Sequence, residues 1–531
     1  MIDLDGHGLT VPLLWRAAAR GEPCRLADAA RPLLRRSREL VERLAAEPRA
    51  IYGINTGFGP LSDTRVPPAE LGRHQLNLLH HLAVGQGDLF PARETRAILV
   101  ARANALARGY SGIREEVVDL LLAAHGRGIL PEIPQEGSVG ASGDLVPLAH
   151  MARLLVGLGH ARVGDRRLPA DEALKEAGLA PVTLKCKEGL ALVNGTSVMT
   201  ALAGLSVHEA AAALGWAELL SACLIQALYG EPEVLCEQLH RARGHRGQFV
   251  SAARMAAHLA THPAYQREIE THAWGSHPKP VEPGAAIQDP YSLRCAPQIL
   301  GAFQDALWHV EHVVTRELNA STDNPLVFPD TGSVIHGGNF YGQHVAMVSD
   351  YLRIGLIKVA LLAERQTERL LNAKYSMGLP PLLAGGEPGL HSGLAGCQLL
   401  ATSLAAEARL LGSPASIQTI PTNANNQDVV SMGAIAARMT RTLLPLVWKI
   451  LAVEALALAQ AADLRKRAGQ SVMGSDYARL HARIRALSPR LEADRPLFED
   501  IDRVSRLLQS DEAQAEHLPP RPDNPWVVEL K

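Results

Sequence analysis

A chain of 531 residues with 47% apolar residues, 20% charged residues and a formal charge of -2 has material for a large packed core, which excludes a disordered or fibrous protein. Near-neutral charge, with no aromatic-interleaved basic stripe, supplies no field for DNA or RNA, so nucleic acid is not an expected partner. Aromatics make up only 4% while Ala and Leu abound, which favours helices packed through small and medium side chains.

Met1 through Thr10 carries two acidic residues and no basic stretch leading into an apolar run, so no secretory signal is read there. Residues 1 to about 50 form short helical stretches rich in Ala, Leu and Arg, broken by Gly21, Pro23 and Pro48. Tyr52-Gly-Ile-Asn-Thr-Gly-Phe-Gly-Pro60 then interrupts any regular helix and reads as a loop. Helices are expected over Leu71–Ala83 and Glu94–Leu106, a Gly, Ser and Pro rich segment up to Asp144, and another helix over Leu148–Leu158. Arg162-Val-Gly-Asp-Arg166 has the turn chemistry of a small hairpin.

From about residue 200 the apolar spacing becomes long and helical. Leu352, Leu356, Val359 and Leu362 share a face, flanked by polar residues at four-residue spacing. Met439–Arg465 is a further long helix, disturbed early by Pro445. Within it Leu443–Ala462 imitates a membrane span, but Lys449 and Glu454 point to a buried helix, so no membrane partner is expected. His517–Pro525 is a proline-rich tail, either wrapped or exposed.

Six dispersed cysteines have no ligand spacing; a reduced, cytoplasmic chain without metal is expected. Neither a Gly-x-Gly-x-x-Gly turn after a strand nor a phosphate-binding loop occurs, so nucleotide cofactors have no local support. The fold class is mainly α with minor β structure: residues 1–200 form an N-terminal catalytic domain, and 201–531 a helical bundle with a C-terminal helical region.

The segment with unusual chemical content is Gly137-Ser-Val-Gly-Ala141-Ser142-Gly143-Asp144, whose small side chains permit a sharp turn and close backbone approach. By itself this is a glycine-rich loop. In chain order, however, it stands among Tyr52–Gly59, Asn194-Gly-Thr-Ser197, Gln288-Asp-Pro-Tyr-Ser-Leu-Arg294, Gly337-Gly-Asn-Phe340 and Asn425-Asn-Gln-Asp428. With these motifs the chain resembles the histidine and aromatic amino acid ammonia-lyase family and its related aminomutases over nearly its whole length.

That resemblance implies the ammonia-lyase/fumarase-like fold with a long central helical bundle, assembled as a homotetramer whose sites draw on several subunits. It also implies that Ala141, Ser142 and Gly143 cyclise without external help to 4-methylidene-imidazol-5-one. The Gly143 nitrogen attacks the Ala141 carbonyl carbon, and two waters leave. No external cofactor is implied. Tyr52 matches the base that removes a β-proton; a free phenol is protonated near neutral pH, so the role requires surroundings that favour phenolate. Arg294 matches the carboxylate-binding arginine and Tyr291 a partner of the electrophile and departing amine. Asn194 matches an amide beside the cyclic group, Phe340 a residue near the reactants, and Asp144 a residue that orients the loop during maturation.

Substrate choice is read from the pair before Gly85. Leu79-His80-His81-Leu82-Ala83-Val84-Gly85 places His81 and Leu82 where the family's tyrosine-selective members carry His-Leu, with His80 leaving a one-residue ambiguity. A ring nitrogen of His81 can engage a phenolic hydroxyl that an apolar wall would leave unpaired. Asn426 and Gln427 complete the implied substrate-binding set with Asn194 and Arg294. Gln427 is neutral where histidine-selective members tend to carry Glu. The resemblance therefore implies a tyrosine ammonia-lyase giving 4-hydroxycinnamate, with L-phenylalanine a second substrate. The alternatives are a tyrosine 2,3-aminomutase, a histidine ammonia-lyase and a catalytically silent oligomer.

Overall fold

A computed structural model describes residues 1–277, 288–470 and 473–525, and helices dominate them. Contacts divide the chain into two compact units. The first takes Met1–His208, Val310–Asp350 and Pro414–Arg441, and the second Glu209–His309, Tyr351–Ser413 and Thr442–Lys531. These units are discontinuous in sequence, and four of their five boundaries fall inside the long helices Ser197–Ala227, Ala296–Leu318, Gln343–Leu371 and Gly433–Arg467.

In the first unit, strand Ile2–Leu4 pairs in parallel with Cys24–Leu26 around helix Val11–Ala19, a pairing too short to leave a period in the sequence. The expected hairpin forms from His160–Val163 and Arg166–Pro169, with Gly164 left-handed at the turn. Helix Leu71–Leu82 begins as read and ends one residue early, while helix Leu145–Leu155 begins three residues before the expected start. Pro147 lies in its first turn, where a missing N–H has no helical partner to lose.

These two helices pack with a third, Glu188–Val193. At their crossing the absent side chain of Gly189 matters, since a Cβ there would sit 2.7 Å from the Gln75 carbonyl oxygen. The Gln75 amide oxygen accepts from the Leu190 N–H at 3.0 Å, which locks the short helix that leads into Asn194. Below the Tyr52 loop, Leu40, Val41, Leu44, Ile51, Ile54 and Val327 form one buried cluster, so the loop is anchored by its apolar residues on either side of the tyrosine. Truncating Ile54 to Ala would cost about 2–5 kcal/mol.

The second unit is a helical assembly. Two of its buried side chains bond to backbone within the unit: Trp216 Nε1 donates to the Leu508 carbonyl at 2.7 Å and Tyr477 Oη to the Leu458 carbonyl at 2.6 Å. The helix Gly433–Arg467 continues through Pro445. Two helices, Ser197–Ala227 and Gly433–Arg467, are long and apolar enough to cross a membrane, but 94% and 78% of their most apolar stretches are buried in the protein, as in core helices. The C-terminal tail is wrapped: Asn524 Nδ2 donates to the Trp308 carbonyl at 2.9 Å.

Candidate active site

The first unit encloses a cavity of 1210 Å³ whose wall brings together Tyr52, His81, Leu82, Ala141, Ser142, Asn194, Phe340, Asn426 and Gln427. Residues from six separate stretches of sequence converge there, and nine of the twelve predicted site positions are in that wall. Gly143 lies directly behind Ser142, buried in the loop.

The loop at the cavity floor is bent as its composition demands. Ser142 is left-handed at φ +54°, a strained conformation for a residue with a side chain, and Gly143 follows at +75°. Gly143 and Gly195 form a parallel bridge, and a Cβ on Gly143 would collide with the Gly195 carbonyl group. Two donors meet the Ser142 carbonyl oxygen: Asn194 Nδ2 at 2.8 Å and the Gly195 N–H at 3.1 Å. This is the arrangement of an oxyanion hole, preorganised to stabilise charge on that oxygen. A tight turn, a glycine that tolerates no substituent and a cradled serine carbonyl fit the 4-methylidene-imidazol-5-one group, whose ring would retain this oxygen.

Asp144 fixes the next residue. Its Oδ2 accepts from the N–H groups of Val198 and Met199, both at 2.9 Å, and so caps the helix Ser197–Ala227 from outside. Its Oδ1 accepts from Ser138 Oγ at 3.0 Å, and its N–H donates to the Gly195 carbonyl at 2.7 Å. Burial pushes the carboxyl up to about 7 despite these bonds. The carboxylate therefore ties the loop to the segment that supplies both donors.

Tyr52 Oη accepts from the Gly59 N–H at 3.5 Å, and its ring lies 5.9 Å from that of His336. Nearby, His74 stacks on Phe58 at 4.4 Å and its Nε2 faces the Thr56 carbonyl at 3.1 Å, which stiffens the glycine-rich loop. His336 and Gly195 were missed as site residues. Each is adjacent to or inside a motif that was recognised, but neither carries a signal of its own.

The helix register removes the ambiguity between neighbouring histidines. His81 and Leu82 line the cavity and His80 does not. His81 Nδ1 faces the Asn77 carbonyl one turn earlier at 3.2 Å. A carbonyl only accepts, so Nδ1 carries the proton and a neutral ring leaves Nε2 as an acceptor. Gln427 Nε2 donates to Ser142 Oγ at 3.2 Å, so the neutral amide is placed against the loop itself.

Tyr291 and Arg294 are not brought into this cavity wall. They begin and end a four-residue helix of the second unit, capped by Pro290. Tyr291 is 69% exposed, and the Arg294 guanidinium stacks over its ring at 4.7 Å. Among the described residues Arg294 has no carboxylate partner within ion-pair distance, and its Nε has no hydrogen-bond partner. They belong to the second unit, whereas the residues lining the cavity belong to the first.

Set beside known proteins, this geometry has a clear context. A family model described as aromatic amino acid lyase matches residues 9–486. The chain belongs to the aromatic amino acid lyase family. As a member it is a carbon–nitrogen lyase. This aromatic amino acid lyase is 44% identical over 514 residues to a histidine ammonia-lyase of Anaeromyxobacter dehalogenans, covering 95% of the chain and 98% of that relative. It is 43% identical over 519 residues to a tyrosine ammonia-lyase of Cupriavidus metallidurans, covering 96% of each. Its fold matches the crystal structure of a tyrosine aminomutase from Streptomyces globisporus with a TM-score of 0.90 and 38% identity, over 97% of this chain and 99% of that one. The expected mainly α, ammonia-lyase-like fold is thereby established.

Proposed function

We propose that this aromatic amino acid lyase is a tyrosine ammonia-lyase, converting L-tyrosine to 4-hydroxycinnamate and ammonia. The observation that carries the choice is His81, which stands in the cavity wall with Nδ1 committed to the Asn77 carbonyl and Nε2 left to accept a phenolic O–H. A site built to bond a hydroxyl penalises substrates that lack one, so phenylalanine would be the poorer substrate. Leu82 offers apolar contact to the ring.

When formed from Ala141, Ser142 and Gly143, the methylidene-imidazolone supplies an electrophilic carbon that makes the substrate nitrogen a better leaving group. The chain's own residues do the rest. Tyr52 removes the β-proton, and the Gly59 N–H stabilises charge on its oxygen. Asn194 Nδ2 and the Gly195 N–H hold the Ser142 carbonyl oxygen as charge builds there. Phe340 bounds the reacting region. Arg294 would bind the substrate carboxylate and Tyr291 the departing amine, supplied by another copy in a homotetramer. The exposure of Tyr291, and an Arg294 Nε without a hydrogen-bond partner among the described residues, support that reading. A cytoplasmic enzyme is the accompanying expectation.

A histidine ammonia-lyase is favoured by one observation, the 44% identity to relatives of that name. Against it stands Gln427, a neutral amide bonded to Ser142 Oγ where a carboxylate would attract an imidazole-bearing substrate. Incubation with tyrosine, phenylalanine and histidine separately, with unsaturated acids, β-amino acids and ammonia resolved, tests the choice. The expected result is 4-hydroxycinnamate with stoichiometric ammonia. A preference for histidine, or β-tyrosine formed without free ammonia, would overturn it.

A further inference from the structure

We propose that Gln427 is a positioning residue for the protein's own maturation, assisting departure of the Ser142 hydroxyl as the second water. The inference rests on the reading that Ala141, Ser142 and Gly143 cyclise. It starts from one contact: Gln427 Nε2 donates to Ser142 Oγ at 3.2 Å, the oxygen that the second water loss must expel.

The amide is held in place by a built loop. Thr422 N–H donates to the Gln427 carbonyl at 3.0 Å, and Gln427 N–H donates back to Thr422 at 3.4 Å. Asn423, Ala424 and Asn425 between them are all left-handed, at φ +53°, +52° and +62°. Three consecutive residues in that region are costly for side-chain-bearing amino acids, and the turn they form closes the bridge that orients Gln427.

The chemistry divides into two water losses. In the first, the Gly143 nitrogen bonds to the Ala141 carbonyl carbon and its proton passes to the Ala141 oxygen. That oxygen then leaves with the Ser142 amide proton as water, and a carbon–nitrogen double bond remains. In the second, the Ser142 Cα proton passes to solvent. Charge builds on the Ser142 carbonyl oxygen, where Asn194 and Gly195 donate. The Cα–Cβ double bond then forms as the Cβ–Oγ bond breaks, and the departing hydroxide regains a proton from solvent. Oγ becomes negative as that bond stretches, so an N–H donor on it lowers the barrier. A carboxylate at 427 would only accept, holding the hydroxyl in its uncharged form.

Time-resolved intact mass of chain freshly made by cell-free synthesis separates the two losses. Wild type is expected to proceed to the form lacking two waters. Gln427→Leu is expected to accumulate the form lacking one, with the second loss slowed about tenfold or more. Gln427→Glu should also slow it at neutral pH and recover relative to wild type in acid, where a protonated carboxyl can donate. Loss of both waters from Gln427→Leu at the wild-type rate overturns the proposal. If circular dichroism shows that Gln427→Leu has not folded, the isosteric Gln427→Glu decides by the same comparison. A wild-type chain that loses no water at all sinks the cyclisation reading instead.

Discussion

Asn194 donates its side-chain amide to the carbonyl oxygen of Ser142 at 2.8 Å, and the neighbouring backbone N–H of Gly195 reaches the same oxygen at 3.1 Å. Two fixed donors on one oxygen cost no reorganisation when charge arrives there. Asn194→Ala is therefore expected to lower kcat by about 10²–10³ while KM moves much less, because the interaction strengthens as the reaction proceeds. Steady-state kinetics on protein shown by mass to be fully closed measures this. A kcat close to wild type would remove the oxyanion-hole role.

The parallel bridge between Gly143 and Gly195 leaves no room for a methyl group at either position. At Gly195 a Cβ would lie 2.5 Å from Thr322 Oγ1 and 2.6 Å from Arg102 Nη1, and at Gly143 it would strike the Gly195 carbonyl. Gly143→Ala is expected to keep both waters and to lack the ultraviolet absorption of the conjugated ring. A normally closed Gly143→Ala chain would show that the turn has slack it does not display.

Much of this site was legible because short motifs survive in order along the chain: Tyr52, Ser142, Asn194, Phe340 and Gln427 each sit in one, and all reach the cavity. What one-dimensional reading missed has physical causes. Pro147 reads as a breaker unless Asp144 is seen to precede a helix start, where proline costs nothing. His80 and His81 are indistinguishable by type, and only the helix register sends one of them to the cavity. Gly195 contributes through its backbone, which no side-chain pattern advertises. The units are discontinuous because the chain re-enters the first unit within the helix Ala296–Leu318 and again in the loop at Pro414, and periodicity does not say what a helix packs against.

His81 tests the substrate choice directly. Replacing the ring by Phe removes the Nε2 acceptor and leaves a buried phenolic hydroxyl unpaired in the complex. His81→Phe should shift the kcat/KM ratio of tyrosine to phenylalanine by about tenfold to a hundredfold toward phenylalanine. His80→Phe, outside the cavity wall, should leave that ratio unchanged. Equal effects from both would mean that the register assigned here is not the one that meets substrate.

Asp144 links the loop to pH. Burial holds its carboxyl up to about 7, above the roughly 3.9 of an unfolded chain, so the native state binds this proton more tightly. The resulting stability is complete below the unfolded value and is lost as pH rises toward about 7. Glu218, pushed up to about 7 by burial, contributes with the same sign, so the comparison must be between variants. Asp144→Asn cannot titrate, and its Tm should fall less than that of wild type between about pH 4 and about pH 8. Parallel Tm profiles in calorimetry would place the slope elsewhere.

Tyr291 and Arg294 belong to the second unit and the cavity's lining residues to the first, which leads to a mixing experiment. If these residues complete the site of another copy, a chain lacking Tyr52 and a chain lacking Arg294 damage different parts of each composite site. Tyr52→Phe and Arg294→Ala homo-oligomers should each be nearly inactive. Dissociated together and reassembled, they should form some sites in which intact Tyr52 from one chain meets intact Arg294 from another. Activity should then rise well above the sum of the separate preparations, with KM of the recovered fraction near wild type. Random assembly also generates doubly defective sites, so recovery should remain a fraction of wild-type kcat per chain. If one chain supplied both residues to its own site, every site in the mixture would carry one of the two lesions and no activity would return.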